Sequence, residues 1–465
     1  MTKMKKRDII RAAKMVYFIL MCTLFAVVWF HSFNGMIVFN SPRRLGAAFV
    51  LLFALLFFFL IRVYEGVRIS IAKVSTVVYS QMLSVIMADG VIFALLWLLA
   101  AEFPPFPPFI CLLLGQFLIC VVWSTLANKL YYKVYKPRKT VALYRDNWDC
   151  SQMWELNTIS RKFSLQKMVC VPGEVNEAVL RELDEAEVVF VRGLPANERN
   201  DVIKYCMKEG IELYLWPKIG DIILSGAEHT HLFHVPMMKL ERYAPTFEYQ
   251  ILKRSLDIFA SLAGIIVLSP FMLITAAAIK AYDGGPALYK QIRLTKDGRE
   301  FSILKFRSMR VDAEKDGVAR LSTGDKDDRI TPVGRIIRAI RFDELPQLFN
   351  ILRGDMSIVG PRPERPEIAK QYEEVMPEFN LRLQAKAGLT GYAQVYGKYN
   401  STPYDKLQMD LLYIAHPSFL EDIKLILATI KILFMKESTE GIAEGQTTAN
   451  KAVDVPAHNE EETLV

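Results

Sequence analysis

Charge is scarce in this 465-residue chain: Asp, Glu, Lys and Arg make up 23%, against 52% hydrophobic residues that include 28 phenylalanines. With a mean hydropathy of +0.19, that balance excludes an ordinary soluble protein and calls for membrane segments. Cysteine is sparse as well. The six residues Cys22, Cys111, Cys120, Cys150, Cys170 and Cys206 form no CxxC pair and three lie in apolar runs, which argues against a disulfide framework and a zinc site. Also missing are an A-x-A-like cleavage site after the first apolar run and any set of acidic, basic and histidine residues inside the spans. The first lack speaks against a cleavable signal peptide, the second against a transport path. A net charge of +7 suits an anionic lipid surface or an anionic substrate, and no nucleic-acid partner is expected.

What is present comes in blocks. Four apolar stretches, Met15 to Phe33, Leu45 to Tyr64, Val77 to Ala100 and Phe106 to Ala127, are each near the ~20 residues a helix needs to cross a bilayer. Basic residues flank them on alternate sides: Lys3 to Lys14 before the first, Arg62, Arg68 and Lys73 in the second loop, and Lys129 to Lys139 after the fourth. The positive-inside rule then places those segments, and everything after residue 128, on the cytoplasmic side. Arg43 and Arg44 run against the trend. Asp89 is the one acidic residue within a span, and it fits a local kink or packing contact better than a proton relay without partners.

From Lys139 the pattern changes to short β-rich runs alternating with amphipathic helices: Thr140 to Tyr144, Met168 to Val171, Glu187 to Val191 and Ile211 to Trp216, with helices near Val175 to Glu185 and Asn197 to Glu209. This is βαβ logic and predicts a Rossmann-like parallel sheet. The first strand is followed by Arg145-Asp146-Asn147-Trp148, where a nucleotide fold needs G-x-G-x-x-G, so a structural, regulatory or oligomerising role is expected. His229, His231 and His234 close the domain as polar surface rather than as a metal site.

Ser255 to Ile279 is again long enough to span, yet basic residues stand at both ends, and Ser269-Pro270 interrupts its middle. A helix that enters, breaks and returns satisfies both facts; a Pro-kinked crossing is the alternative. Pro286 to Leu294 and Phe301 to Met309 predict a hairpin about Lys296-Asp297-Gly298-Arg299. An acidic, Gly-bearing loop follows, then arginines at 335, 338 and 341 and the octet Arg341-Phe342-Asp343-Glu344-Leu345-Pro346-Gln347-Leu348. Taken alone, two carboxylates before a proline read first as an ordinary helix start; the neighbouring guanidiniums, which need an anion, add the reading of a reactive pair. A stripe from Phe419 to Phe434, interleaved with Lys424, Lys431 and Lys436, fits membrane interface or core. The last ~30 residues carry no periodicity and read as disordered.

Six segments in order carry a resemblance: Lys253-Arg254-Ser255-Leu256-Asp257, Ser269-Pro270, Lys305-Phe306-Arg307-Ser308-Met309, Asp343-Glu344-Leu345-Pro346-Gln347-Leu348, Asp355 to Pro363 and Gly388-Leu389-Thr390-Gly391. Together they resemble the motif series of the bacterial monotopic phosphoglycosyl transferases, with the spans and middle domain similar to the large polyprenyl-phosphate hexose-1-phosphate transferase branch. Phe342, where a smaller aliphatic residue is usual, and Leu294-Thr295-Lys296 depart from that pattern without replacing a chemical group. The resemblance implies transfer of a hexose-1-phosphate, glucose or galactose by family habit, from a UDP-sugar to undecaprenyl phosphate with release of UMP, using Mg²⁺, as the first membrane step of exopolysaccharide or capsule synthesis. It implies Asp343 as nucleophile and Glu344 as metal ligand. Substrate contacts fall to Lys253, Arg254, Asp257, Lys305, Arg307, Arg338, Arg341, Pro361, Arg362, Pro363 and Gln394, and Ser269 and Pro270 break the helix.

The expected organisation is therefore a four-helix transmembrane anchor at 1–136, an α/β Rossmann-like cytoplasmic domain at 137–240, an α+β catalytic domain at 246–436 with a re-entrant helix at 255–280, and a disordered tail at 437–465. The expected location is the bacterial inner membrane, multi-pass, with the catalytic domain cytoplasmic. A homo-oligomer is compatible with this reading. Two competing readings are a membrane scaffold for polysaccharide enzymes with an inactive last domain, which the intact Asp-Glu pair opposes, and a transporter, for which Asp89 alone supplies no path.

Overall fold

The structure, a computed structural model, describes residues 3–37, 42–69, 72–146, 153, 161–311, 329–397 and 402–433. The acidic loop at 312–328, Asn147 and Trp148, Phe434 and Lys436 of the C-terminal stripe, and the tail at 437–465 lie outside them. The chain divides into two units, Met1–Trp216 and Pro217–Val465.

The first unit opens with α1 (Lys3–Val28, continued by a π-helical turn Trp29–Phe33), α2 (Pro42–Val63), α3 (Val74–Ala100) and α4 (Phe106–Val134). All four are long and apolar enough to cross a membrane. Large rings knit α1 to α2: Phe25 stacks on Phe53 with centroids 4.1 Å apart, and Trp29 on Phe49 at 4.3 Å. Between α3 and α4, Ser124 donates to Gln81 (2.9 Å), whose amide in turn donates to the carbonyl of Gly66. Asp89 is buried in α3, and no other Asp, Glu, Lys, Arg or His is buried among the described residues of the bundle.

A four-stranded parallel sheet follows, in the order β2 (Phe163–Cys170), β1 (Arg138–Tyr144), β3 (Val188–Val191), β4 (Glu212–Leu215). Side chains alternate across it as the two-residue period requires. Val141, Leu143, Val189 and Val191 face a core shared with α5 (Glu177–Arg181) and α6 (Ala196–Glu209), while Ala142, Val188 and Phe190 face Met153 and Phe163. Covered on both sides, β3 is apolar at every position, as parallel strands are. At the carboxyl end of β1, Arg145 donates to the carbonyl of Gly173 (2.8 Å) and to Glu198 (2.7 Å), so a protein ion pair occupies the ground a phosphate-binding turn would need.

The second unit begins earlier than the sequence suggests. Helix α7 (Ile219–Ser225), read from sequence as part of the middle domain, buries Ile219 and Ile222 in the core of the later residues. Its end packs so closely on Ala415 that a side chain at Gly226 would strike the Ala415 carbonyl. An exposed hairpin, β5 (Glu228–Leu232) and β6 (Val235–Lys239), comes next.

Helix α8 then runs from Phe247 to Asp283 without interruption, opened by Thr246, whose hydroxyl accepts from the Tyr249 amide, and closed by Gly284 at φ 71°. The expected break at Ser269-Pro270 is not an interruption of the helix. Pro270 sits inside it, and Ser269 Oγ donates to the carbonyl of Ile266 (2.9 Å), which satisfies the acceptor the proline leaves open. Helix α8 is the fifth segment long and apolar enough to cross a membrane.

The hairpin predicted after it forms as β7 (Leu288–Leu294) and β8 (Glu300–Phe306), turning through Asp297 and Gly298, both at positive φ. Then come α9 (Pro332–Ala339), a 3-10 turn Phe342–Glu344, α10 (Gln347–Arg353), β9 (Ser357–Val359) and α11 (Pro366–Val375). The chain ends with β10 (Gly388–Thr390, parallel to β9), α12 (Tyr392–Val395), α13 (Pro403–Ala415) and α14 (Phe419–Leu433). Leu425 and Ala428 of α14 are buried, Leu425 within the core of the unit, so one face of the C-terminal stripe is core packing.

Candidate active site

Asp343 and Glu344 are held by a local conflict in the backbone. Helix α9 stops at Ala339, and Arg341 adopts left-handed φ/ψ (58°, 21°), which costs a non-glycine residue about 1 kcal/mol or more. The chain thereby reverses into the 3-10 turn that carries the two carboxylates. They do not occupy the first turn of an α-helix: α10 begins only at Gln347, with Pro346 as its flanking residue, so the helix-start expectation is corrected by one turn.

Two further contacts fix the pocket. Asn350 of α10 accepts from the amide of Leu304 and donates to the carbonyl of Ser302, both at 2.9 Å, bolting the helix to β8 and bringing Lys305 opposite the turn. Gly334 lies against the Ser308 carbonyl with no room for a Cβ, so α9 can approach the end of β8 only with glycine there.

Lys305 Nζ lies 3.3 Å and Arg362 Nη2 3.2 Å from the same oxygen, Oε1 of Glu344. Glu344 is 14% exposed. Burial alone would raise its carboxyl, but Lys305, Arg362 and Arg341 outweigh burial and hold it below the usual carboxylate range. Asp343 moves the other way. Burial and the adjacent Glu344 charge push its carboxyl up, against the pull of Lys305, Arg338 and Arg341. Burial likewise lowers Lys305 more than Glu344 raises it. Glu344 itself, ahead of an opposing effect of burial, raises Arg362. The result is one carboxylate fixed as an anion beside another of higher proton affinity, ringed by cations.

Among the described residues no group of three or more His, Cys, Asp or Glu side chains converges to hold a metal, at the 229–234 histidines or elsewhere. The Asp343-Glu344 pair still fits a Mg²⁺ ion, which takes hard carboxylate oxygens one or two at a time and fills its remaining positions with water and substrate phosphate.

The other residues singled out from sequence separate into two sets. Arg362 and Lys305 join the site, and Arg338 and Arg341 act on it electrostatically. Gln394 stands beside Gly391, which abuts the carbonyl of Gly360 at the start of the Pro361-Arg362-Pro363 loop, and both its carboxamide atoms are buried without a hydrogen bond.

Lys253, Arg254, Asp257 and Arg307 turn elsewhere. Lys253 donates to Asp422 and Tyr413 (both 2.9 Å), and Tyr249 and Tyr413 complete the ring around the buried Asp422. Arg254 donates to the last carbonyls of α10, Ile351 and Leu352 (both 2.7 Å). Asp257 accepts from the Ile358 amide (2.9 Å) and Ser357 Oγ (3.1 Å). Arg307 clamps Asp283 with both arms and donates to the Pro286 carbonyl (2.8 Å). These four pin the two ends of α8 to the unit. Sequence reasoning missed Arg293, Glu364, Arg382, Lys406 and Asp410, which surround the Arg362 loop. Only the four-residue spacing of Lys406 and Asp410 on one helix hinted at them.

In the first unit a groove of about 770 Å³ is lined by Arg138, Ala186, Glu187, Gly210 and Glu212 among others. It lies at the amino ends of the strands, opposite to where open α/β sheets take ligands.

Helices long and apolar enough to cross a membrane and a carboxylate pair ringed by cations are thus both present in the chain. The family model described as bacterial sugar transferase matches residues 248–436. The chain is 32% identical over 300 residues to a UDP-N-acetylgalactosamine-undecaprenyl-phosphate N-acetylgalactosaminephosphotransferase of Aeromonas hydrophila, covering 60% of this chain and 70% of that one. It is 40% identical over 199 residues to a UDP-glucose:undecaprenyl-phosphate glucose-1-phosphate transferase of Caulobacter vibrioides (42% and 74%) and 40% identical over 189 residues to the exopolysaccharide production protein PSS of Rhizobium leguminosarum (39% and 94%). The chain belongs to the bacterial sugar transferase family, and it is a phosphotransferase.

Proposed function

We propose that this enzyme transfers a hexose-1-phosphate from a UDP-sugar to undecaprenyl phosphate and releases UMP, through a covalent phosphosugar on Asp343. The observation that carries the reading is the division of labour in the carboxylate pair. Lys305 and Arg362 hold Glu344 as an anion suited to a divalent ion, while Asp343 beside it makes no such ion pair with either cation. Asp343 attacks the phosphorus bearing the sugar, the phosphoanhydride bond breaks, and its electron pair leaves with UMP. The phosphate of the lipid then attacks the acyl phosphate and returns Asp343 to the carboxylate. Arg338, Arg341 and Arg362 balance charge on the transferring phosphoryl group. A bound Mg²⁺ on Glu344 supplies further charge neutralisation at the phosphates.

The substrate assignment draws on relatives named for glucose, N-acetylgalactosamine and galactose transfer. Placement at the membrane draws on α8. A 37-residue helix is ~55 Å long. Both its ends are pinned to one unit, while Ile266, Val267, Phe271, Leu273 and Ile274 in its middle are exposed. This supports a re-entrant helix dipping into the bilayer from the cytoplasmic face, with α1 to α4 as four spans in the inner membrane. The test is incubation of membranes carrying the full chain with undecaprenyl phosphate and a panel of UDP-sugars. UMP release with one or two sugars, and a labelled phosphosugar on the wild-type chain that Asp343→Asn lacks, are expected. Turnover by Asp343→Asn would overturn the covalent mechanism, and no release with any donor would overturn the reaction.

A further inference from the structure

The Arg362 loop is backed by a second set of buried charges that the carboxylate pair does not use. Arg382 donates to the Arg362 carbonyl (2.8 Å), and its Nη2 lies 2.6 Å from Oδ2 of Asp410, close enough for an ion pair though off the hydrogen-bond direction. Both side chains are at least nine-tenths buried. Glu364, the next carboxylate on the loop, is taken by Arg293 (3.2 Å). Contacts therefore run from Glu344 through Arg362 and Arg382 to Asp410, and Lys406 stands one helical turn before Asp410 on α13. Residues four apart on a helix are neighbours, with Cβ atoms about 5–6 Å apart.

Lys406 is half-buried, and its ammonium has no hydrogen bond or ion pair among the described residues, since both nearby carboxylates are committed to arginines. Burial lowers its proton affinity, Glu364 draws it back up, and the like charges of Arg362 and Arg382 oppose that pull more than Asp410 adds to it. A half-buried cation whose two neighbouring carboxylates are each bonded to an arginine is under-compensated, and a further anion from outside would stabilise it.

We propose that Lys406 binds the nucleotide-side phosphate of the donor, the group that departs as UMP. This rests on the function proposed above. During transfer the bond between the sugar-bearing phosphorus and the bridging oxygen breaks as the Asp343 oxygen bonds to that phosphorus. The electron pair stays on the bridging oxygen, which becomes a terminal phosphate oxygen, so the nucleotide phosphate gains one negative charge. Lys406 meets that charge from behind Arg362.

The experiment uses the purified full chain in detergent with Mg²⁺ and UDP as the probe, comparing wild type, Lys406→Met and Lys406→Arg by equilibrium binding and by melting with and without UDP. Lys406→Met is expected to raise the Kd for UDP at least 10-fold and to melt, without ligand, at the wild-type temperature or above it. Lys406→Arg recovers most of the binding. Equal UDP affinity in wild type and Lys406→Met overturns this proposal alone. So does a Lys406→Met that melts low without ligand and is not rescued by arginine, for that marks a structural charge. A wild-type chain that neither binds UDP nor releases UMP overturns the proposed function itself.

Discussion

Ser269 donates its hydroxyl to the carbonyl of Ile266, 2.9 Å away, the very acceptor that Pro270 leaves without an amide four residues on. The two residues act as a unit. Ser269→Ala strands that carbonyl in apolar surroundings and is expected to cost about 1 kcal/mol. In a Pro270→Ala background the new amide takes over the carbonyl, and the same serine change becomes nearly neutral. A double-mutant cycle of thermal unfolding in nanodiscs reads the coupling, and additive effects would refute it.

Asp343→Asn is expected to lower UMP release by roughly 10³-fold or more, the scale on which loss of a covalent nucleophile is felt. Glu344→Gln loses activity as well, and also raises the Mg²⁺ concentration needed for half-maximal activity. Steady-state kinetics over a Mg²⁺ series separates the two roles; equal Mg²⁺ dependence in wild type and Glu344→Gln contradicts the ligand assignment.

Lys253 is bonded to the buried Asp422 and not turned to the carboxylate pair. Truncating it to Met leaves an uncompensated buried carboxylate and is expected to destabilise the protein by about 3 kcal/mol or more. Adding Asp422→Leu to Lys253→Met should restore part of that stability. If Lys253→Met instead melts normally and only raises the KM for undecaprenyl phosphate, Lys253 contacts lipid and not Asp422.

In the middle domain Arg138 pairs with Glu212, one arm at 3.1 Å, and that hydrogen-bonded guanidinium, outweighing partial burial, draws the Glu212 carboxyl down to about 2. A carboxyl lowered on folding stabilises above its unfolded pKa and loses that contribution as pH falls through the folded one. The stability difference between wild type and Glu212→Gln should therefore hold steady above about pH 4.5 and shrink towards pH 2, an effect kept small by solvent exposure. Chemical denaturation across that range measures it; a gap that widens at low pH would contradict the sign.

Elements set by local chemistry were legible in the sequence. The apolar helices, the alternating strands of the parallel sheet and the hairpin around Asp297-Gly298 all follow from periodicity and turn residues. Contacts set by distant partners were not. Lys253 and Arg254 look like free cations beside a membrane because Asp422 and the carbonyls of Ile351 and Leu352 lie about a hundred residues or more along the chain. The Asp343-Glu344 pair looked like a helix start because nothing local announces that Arg341 turns left-handed and delays the helix to Gln347. Arg382 gave no signal, since a buried ion pair has no period, and Asp410 none beyond its spacing from Lys406.

Because Lys253, Arg254 and Asp257 fasten one end of α8 and Arg307 fastens the other, the helix has no hinge against its unit. With α8 seated in the bilayer as proposed, the depth of its apolar middle and the height of Asp343 above the headgroups become a single quantity. Lipid thickness then acts as a ruler on the chemistry. In vesicles of graded acyl-chain length, turnover should peak at one thickness and fall on either side, while UDP affinity stays flat.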